Sequence, residues 1–279
     1  MQTSTFVRHR FLPLADRAFW RDFLRTATED EILGLAAQLS FYLTFALFPA
    51  LLGLIEILGK LELRRVSDVI LSFLGGILPT EVVPLVVESV REAAAARIGG
   101  LAWAALLGSV IPILRAVSAI GRMLNRTARI PEDRGWIKKT AEQLLAIALM
   151  ALVLLGVAAV IASFRPLVQR ADSSILWVAW TAARWALWLV MFAFAVSFLY
   201  AFAPATRIQW RWLAPGPLAA AALWSSGSLF LRFAAAELLH YDALYGSVGS
   251  MILLLTWIYW TSIVVLVGGH LEASAQGAL

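Results

Sequence analysis

The chain contains no cysteine, so disulfides, thiolate metal sites and thiol nucleophiles are excluded at once. Cysteine absence suits either redox compartment and does not locate the protein. Histidine is scarce as well: His9, His240 and His270 stand far apart and form neither an HxH nor an HExxH spacing. A zinc hydrolase or nuclease needs clustered ligands that fix the metal and leave an open position. No glycine-rich stretch matches a phosphate-binding P-loop, and no GxSxG elbow occurs. The reading is therefore of a non-enzymatic protein, with no catalytic residue, no cofactor and no metal expected. Charge is short too: 15% of residues, against 61% hydrophobic. A soluble chain of 279 residues has too little polar surface to cover such an interior.

What the chain does have is six apolar runs. Residues 32–55, 143–164, 185–206, 212–231 and 243–269 carry no Asp, Glu, Lys, Arg or His, and 98–121 is broken only by Arg115. A helix needs about 20 apolar residues to cross a bilayer core. The expected fold is all-α, a polytopic membrane protein with spans near 32–58, 99–121, 141–164, 175–203, 213–238 and 248–271. An even count places both termini on one side. Segments on the terminal side hold thirteen Lys or Arg and those opposite hold seven, so both termini are expected in the cytoplasm.

The whole of 1–279 reads as one integral membrane domain. Residues 1–31 mix Phe6, Phe11, Phe19, Trp20 and Phe23 with Arg8, Arg10, Arg17, Arg21 and Arg25. They read as a retained cytoplasmic leader, either an amphipathic helix at the membrane surface or a helix docked on the bundle. Within 59–98, Val66, Val69, Ile70, Phe73, Leu74 and Ile77 recur at helical spacing. Pro79-Thr80-Glu81 then looks like a helix start, with Val83, Val86, Val87 and Val90 on the next apolar face. Two amphipathic helices on the outer face are expected, as a cover or as a gate. The segment 122–140 reads as a connector whose basic residues meet anionic headgroups. Pro49 and Pro112 are not matched across the two halves, which speaks against an inverted-repeat transporter.

Ionisable residues inside hydrocarbon are functional candidates by default. Arg184 is the deepest, about nine residues or roughly 14 Å into the fourth expected span. Arg115 is expected about one and a half turns from the cytoplasmic end of its span, and Arg232 about as far from the outer end of its own. His270 lies near the cytoplasmic end of the last span, two residues before Glu272. Deep tryptophans, Trp224, Trp257 and Trp260 among them, need partners for their indole N–H groups. Gly216 and Ala220 form a small-xxx-small pair suited to close helix contact, within the chain or between subunits.

Several segments together carry a family likeness. They are Ala36-Ala37-Gln38-Leu39-Ser40-Phe41-Tyr42 through Leu47-Phe48-Pro49, then Leu124-Asn125 with Arg134-Gly135-Trp136-Ile137-Lys138. Pro204 with Pro215-Gly216 follows, and then Tyr241-Asp242, Tyr245-Gly246 and Leu255-Thr256-Trp257-Ile258-Tyr259. In order and spacing the chain resembles the YihY/BrkB family over nearly its whole length. Two departures stand out. The family's Gly-Ala-Glu is Gly268-Gly269-His270 here, an imidazole for a carboxylate. Its Asn after Pro204 is Ala205, which lacks the side chain for a capping or turn contact. The resemblance implies a six-helix inner-membrane protein of bacteria. Some members carry a ribonuclease BN label and others a virulence or serum-resistance label. These residues give the ribonuclease label no support, and no nucleic-acid partner is expected.

The leading expectation is a transporter or lipid-handling protein whose partners are membrane lipids and an anionic or amphiphilic small molecule. Arg184 would meet its headgroup, Arg115 and Arg232 would serve the two mouths, and His270 is a further candidate contact. The rival is an envelope structural or interaction protein; a membrane-associated ribonuclease stands well behind both.

Overall fold

The structure, a computed structural model, describes residues 16–60, 82–88, 100–152, 174–205, 215–238 and 242–277. Among the described residues every regular element is a helix and none is a strand. The elements are α1 (Arg17–Glu29), α2 (Ile32–Lys60), α3 (Gly100–Thr127), α4 (Ser174–Phe202), α5 (Pro215–Leu238) and α6 (Asp242–Gly277), with further helical residues at 83–88 and 136–152. Helix closes every backbone hydrogen bond within its own segment, which is what a bilayer interior demands.

Three stretches among the described residues are long and apolar enough to cross a membrane: Ile32–Gly53, Trp103–Thr127 and Val248–Ala275. Leu189–Phe202 in α4 is a shorter apolar stretch. The expectation of six spans is thus met for three of them, and 141–164 is described only as far as 152. Leu107, Ile111, Leu229, Phe230 and Phe233 all point outward and are more than half exposed. A water-soluble fold would bury such residues; here they form the surface that meets lipid.

Local chemistry sets the helix ends. Asp16 caps α1, its carboxylate accepting from the Ala18 N–H at 2.9 Å. Asp30 and Glu31 alone separate α1 from α2, and Glu31 makes the turn in the left-handed region (φ 51°). At the end of α3, Arg129 takes the left-handed place (φ 54°) that glycine usually fills. Its N–H bonds to the Arg126 carbonyl at 3.1 Å, and that of Ile130 to the Asn125 carbonyl at 2.8 Å. This paired pattern is a Schellman stop. It places the end of α3 at Thr127, six residues beyond the boundary at 121 expected from hydropathy.

α2 lies along α3 and α5 along α6, while α6 also packs on α1, α2 and α3, and α4 packs on α5. One core joins Ala36, Leu39, Ala116, Ile120, Met123, Leu124, Val196, Tyr200, Ala220 and Val264. A second gathers Leu51, Leu254 and Ile258 around Val82 and Val86. The residues over 83–88 are helical, and Val86 on that helix packs into this second core. Its companion over 66–77 lies outside the described residues. Among the deep tryptophans, Trp224 stacks on Phe192 with ring centroids 4.7 Å apart and donates to Thr261 Oγ1 at 3.2 Å.

Candidate functional site

The buried ionisable residues among those described, His270 and Glu272, lie at one end, where α1, the last turn of α3, the end of α4, the start of α5 and the last third of α6 meet. Two glycines make that meeting possible. A Cβ on Gly268 would lie 2.7 Å from Tyr200 Oη and 2.8 Å from the Gly216 carbonyl oxygen. A Cβ on Gly216 would lie 2.4 Å from the Gly268 carbonyl oxygen. All three distances are far inside van der Waals contact, so α5 and α6 cross at this separation only without side chains there. The small-residue pair Gly216 and Ala220 thus serves contact within the chain, against Gly268. Tyr200 fills the junction from α4 and donates to the Val265 carbonyl.

His270 sits beyond the glycines, fully buried. Its Nε2 is 3.0 Å from Thr26 Oγ1 of α1, and its Nδ1 is 3.0 Å from Thr127 Oγ1 of α3. Thr127 donates to Asp30 Oδ2 at 3.1 Å, and that oxygen is 3.7 Å from Nδ1. The Phe23 ring packs on the imidazole, with centroids 5.0 Å apart. Counting protons assigns the tautomer. With the proton on Nδ1, the ring donates to Thr127, Thr127 donates to Asp30, and Thr26 donates to Nε2. Every polar group is then satisfied. Turning the Thr26 hydroxyl to the Asp22 carbonyl, 2.9 Å away, makes room for a second ring proton without moving a helix.

Two further carboxylates complete this end. Glu272 is buried, and its Oε2 accepts from the Gly216 N–H at 3.2 Å. It meets the N-terminus of α5, where unpaired N–H groups and the helix dipole favour negative charge. Pro215, which lacks an N–H, opens that helix at little cost. Glu132 is clasped by Arg134 through Nε at 2.8 Å and a second nitrogen at 3.0 Å, and by Lys139 at 3.0 Å. The Arg134 hydrogen bond holds the Glu132 carboxyl down at about 2, against some opposing desolvation, and the same pair raises Arg134. Arg134 also reaches Glu142 at 3.1 Å and the Ala203 carbonyl at 3.1 Å. Asn125 bridges Glu132 at 3.3 Å and accepts from the Ala205 N–H at 2.8 Å. The backbone of Ala205 is thus tied to α3 through the Asn125 side chain.

Of the four sequence candidates, His270 alone is placed in this cluster. Arg115 is exposed at the midpoint of the Trp103–Thr127 stretch. Because α3 runs on to Thr127, it lies about 18 Å from the end of the helix. Arg232 is half-buried on α5, about 24 Å along the helix from Gly216. Arg184 is in α4, and its side chain lies outside those described. His270, Arg115 and Arg232 do not converge. Sequence reasoning missed Thr26, Asp30 and Thr127. Their one signal was indirect: a histidine in a charge-free run must find partners somewhere.

A second feature lies on the flank of the bundle. Ala37, Ser40, Phe41, Thr44 and Phe45 of α2 face Leu255, Thr256 and Tyr259 of α6 across an open groove of about 520 Å³. Its hydroxyls are largely committed. Ser40 donates to the Ala37 carbonyl, Thr44 to Ser40 and Thr256 to Ile252, at 2.8–2.9 Å. What the groove offers an occupant is mainly apolar.

Fold and surface together define an all-helical integral membrane protein. The chain belongs to the virulence factor BrkB family, whose model matches residues 23–278. It is 26% identical over 263 residues to YfkH of Bacillus subtilis, which carries a ribonuclease-like name, covering 92% of this chain and 94% of that one. A UPF0761 membrane protein of Pseudoalteromonas translucida is 27% identical over 98% of this chain and 88% of its own length. A UPF0761 membrane protein of Stenotrophomonas maltophilia is 24% identical over 92% of this chain, which spans only 60% of that longer protein. No solved structure matches the chain.

Proposed function

We propose that this is a non-enzymatic protein of the bacterial inner membrane that takes up or moves a lipid or similar amphiphile. The observation that carries the reading is the groove between α2 and α6. Its volume, about 520 Å³, is in the range of ligand sites. Its polar groups are spent on its own helices, so an acyl chain is the occupant that loses least on entering. It opens on the flank of the bundle, where lipid is the solvent. On this reading the chain crosses the membrane six times with both termini in the cytoplasm. Arg184 meets the anionic head of the substrate; Arg115, facing outward at mid-span, draws the local headgroups or water toward it.

The test is photo-crosslinking in nanodiscs with a phospholipid carrying a diazirine in one acyl chain. Adducts are expected to concentrate on α2 and α6 peptides that line the groove, and Ala37→Trp is expected to cut them at least severalfold. Labelling spread evenly over outward residues such as Leu107 and Ile111 would sink the proposal. In reconstituted vesicles, full transport by Arg184→Leu would remove Arg184 from it.

A further inference from the structure

We propose that α1 lies in the headgroup layer and binds the anionic lipid surface through Arg17, Trp20, Arg21 and Leu24. At 100° per residue the helix divides into three faces. Phe19, Phe23, Thr26 and Ala27 form the docked face, with Phe23 and Thr26 against His270. Asp22, Arg25 and Glu29 form the second; there Arg25 pairs with Asp22 at 2.8 Å and with Glu29 at 3.8 Å, all three about two-thirds exposed. With two carboxylates to one guanidinium, that face is net negative and suits water rather than an anionic surface.

The third face holds Arg17, Trp20, Arg21 and Leu24 at the i, i+3, i+4, i+7 spacing. Trp20 is 41% exposed and Leu24 63%, and both arginines are exposed. Two cations flanking an indole and a leucine match one partner in chemistry: an acidic phospholipid headgroup above the first acyl carbons. The placement agrees. Asp30 and Glu31 alone separate α1 from Ile32, where a candidate span begins, and Leu33 in its first turn is 62% exposed. The helix is therefore held beside the membrane boundary by its docked face and presents its basic-aromatic face there. This assignment does not depend on what the groove carries.

The absence of cysteine makes the test clean. Leu24→Cys and Asp22→Cys in the full chain are each labelled with an environment-sensitive fluorophore. The proteins are placed in nanodiscs of phosphatidylcholine, with or without phosphatidylglycerol. With the anionic lipid, the label at 24 is expected to shift to the blue, to be quenched by a spin-labelled lipid, and to resist acrylamide. The label at 22 is expected to remain open to acrylamide. Adding Arg17→Gln with Arg21→Gln should weaken the dependence on anionic lipid by roughly tenfold or more. Equal acrylamide access at 22 and 24 overturns the lipid contact. Shielding at 24 that is the same without phosphatidylglycerol, or unchanged by the paired Gln substitutions, overturns the headgroup assignment. Shielding without quenching by the spin-labelled lipid identifies a protein partner instead and overturns it as well.

Discussion

The polar end of the bundle and the mid-span flank handle ionisable residues in opposite ways. At the polar end, His270 and Glu272 are buried and Arg134 is half-buried, and each is held by groups from other parts of the chain. At mid-span, Arg115 stands on the outer surface of α3, and the groove beside α2 and α6 exposes mainly apolar atoms. The same residue class thus fastens helices in one region and faces the surroundings in the other. Charge within a membrane protein has to be sorted by its neighbours before it is read as activity.

The largest expected effect comes from breaking the crossing that creates the polar end. Gly268→Val would force α5 and α6 apart, against a backbone carbonyl and Tyr200 that cannot yield, and is expected to cost about 3 kcal/mol or more. Thermal unfolding followed by size exclusion in detergent measures it. Gly34→Ala, at a site with open space around its Cβ, should change nothing. His270→Ala is next. It leaves Thr26, Thr127 and Asp30 facing a hole and is expected to cost about 2–4 kcal/mol. Hydrogen exchange should then rise first in α1; exchange unchanged there would show that the cluster does not fasten it.

The smallest effect concerns Glu132. Its folded carboxyl is held at about 2, below its ordinary 4.5, so its stabilising contribution is complete above about 4.5 and is lost as pH falls toward about 2. Glu132→Gln should flatten that part of the pH–stability curve. An unchanged acid limb would mean that the Arg134 clasp contributes nothing measurable.

Much of this architecture was legible in the sequence because hydropathy reports which surface a helix shows to lipid. The small-residue pair at Gly216 and Ala220 announced a close crossing, and only its partner, Gly268, needed the fold. The helix around Arg115 was drawn too short because hydropathy falls where Arg122 begins, whereas the helix continues until Arg129 stops it. No glycine marks that stop. The partners of His270 were out of reach for another reason: Thr127 and Thr26 are 143 and 244 positions away, and no local pattern encodes such pairings.

That last separation bears on how the protein is made. A ribosome releases α1 before α6, so the seat for Phe23 and Thr26 does not exist until α6 has been inserted. Docking of α1 then waits on the insertion of α6. A chain interrupted before His270 would display an undocked first helix, a ready mark by which membrane quality control could tell unfinished copies from finished ones.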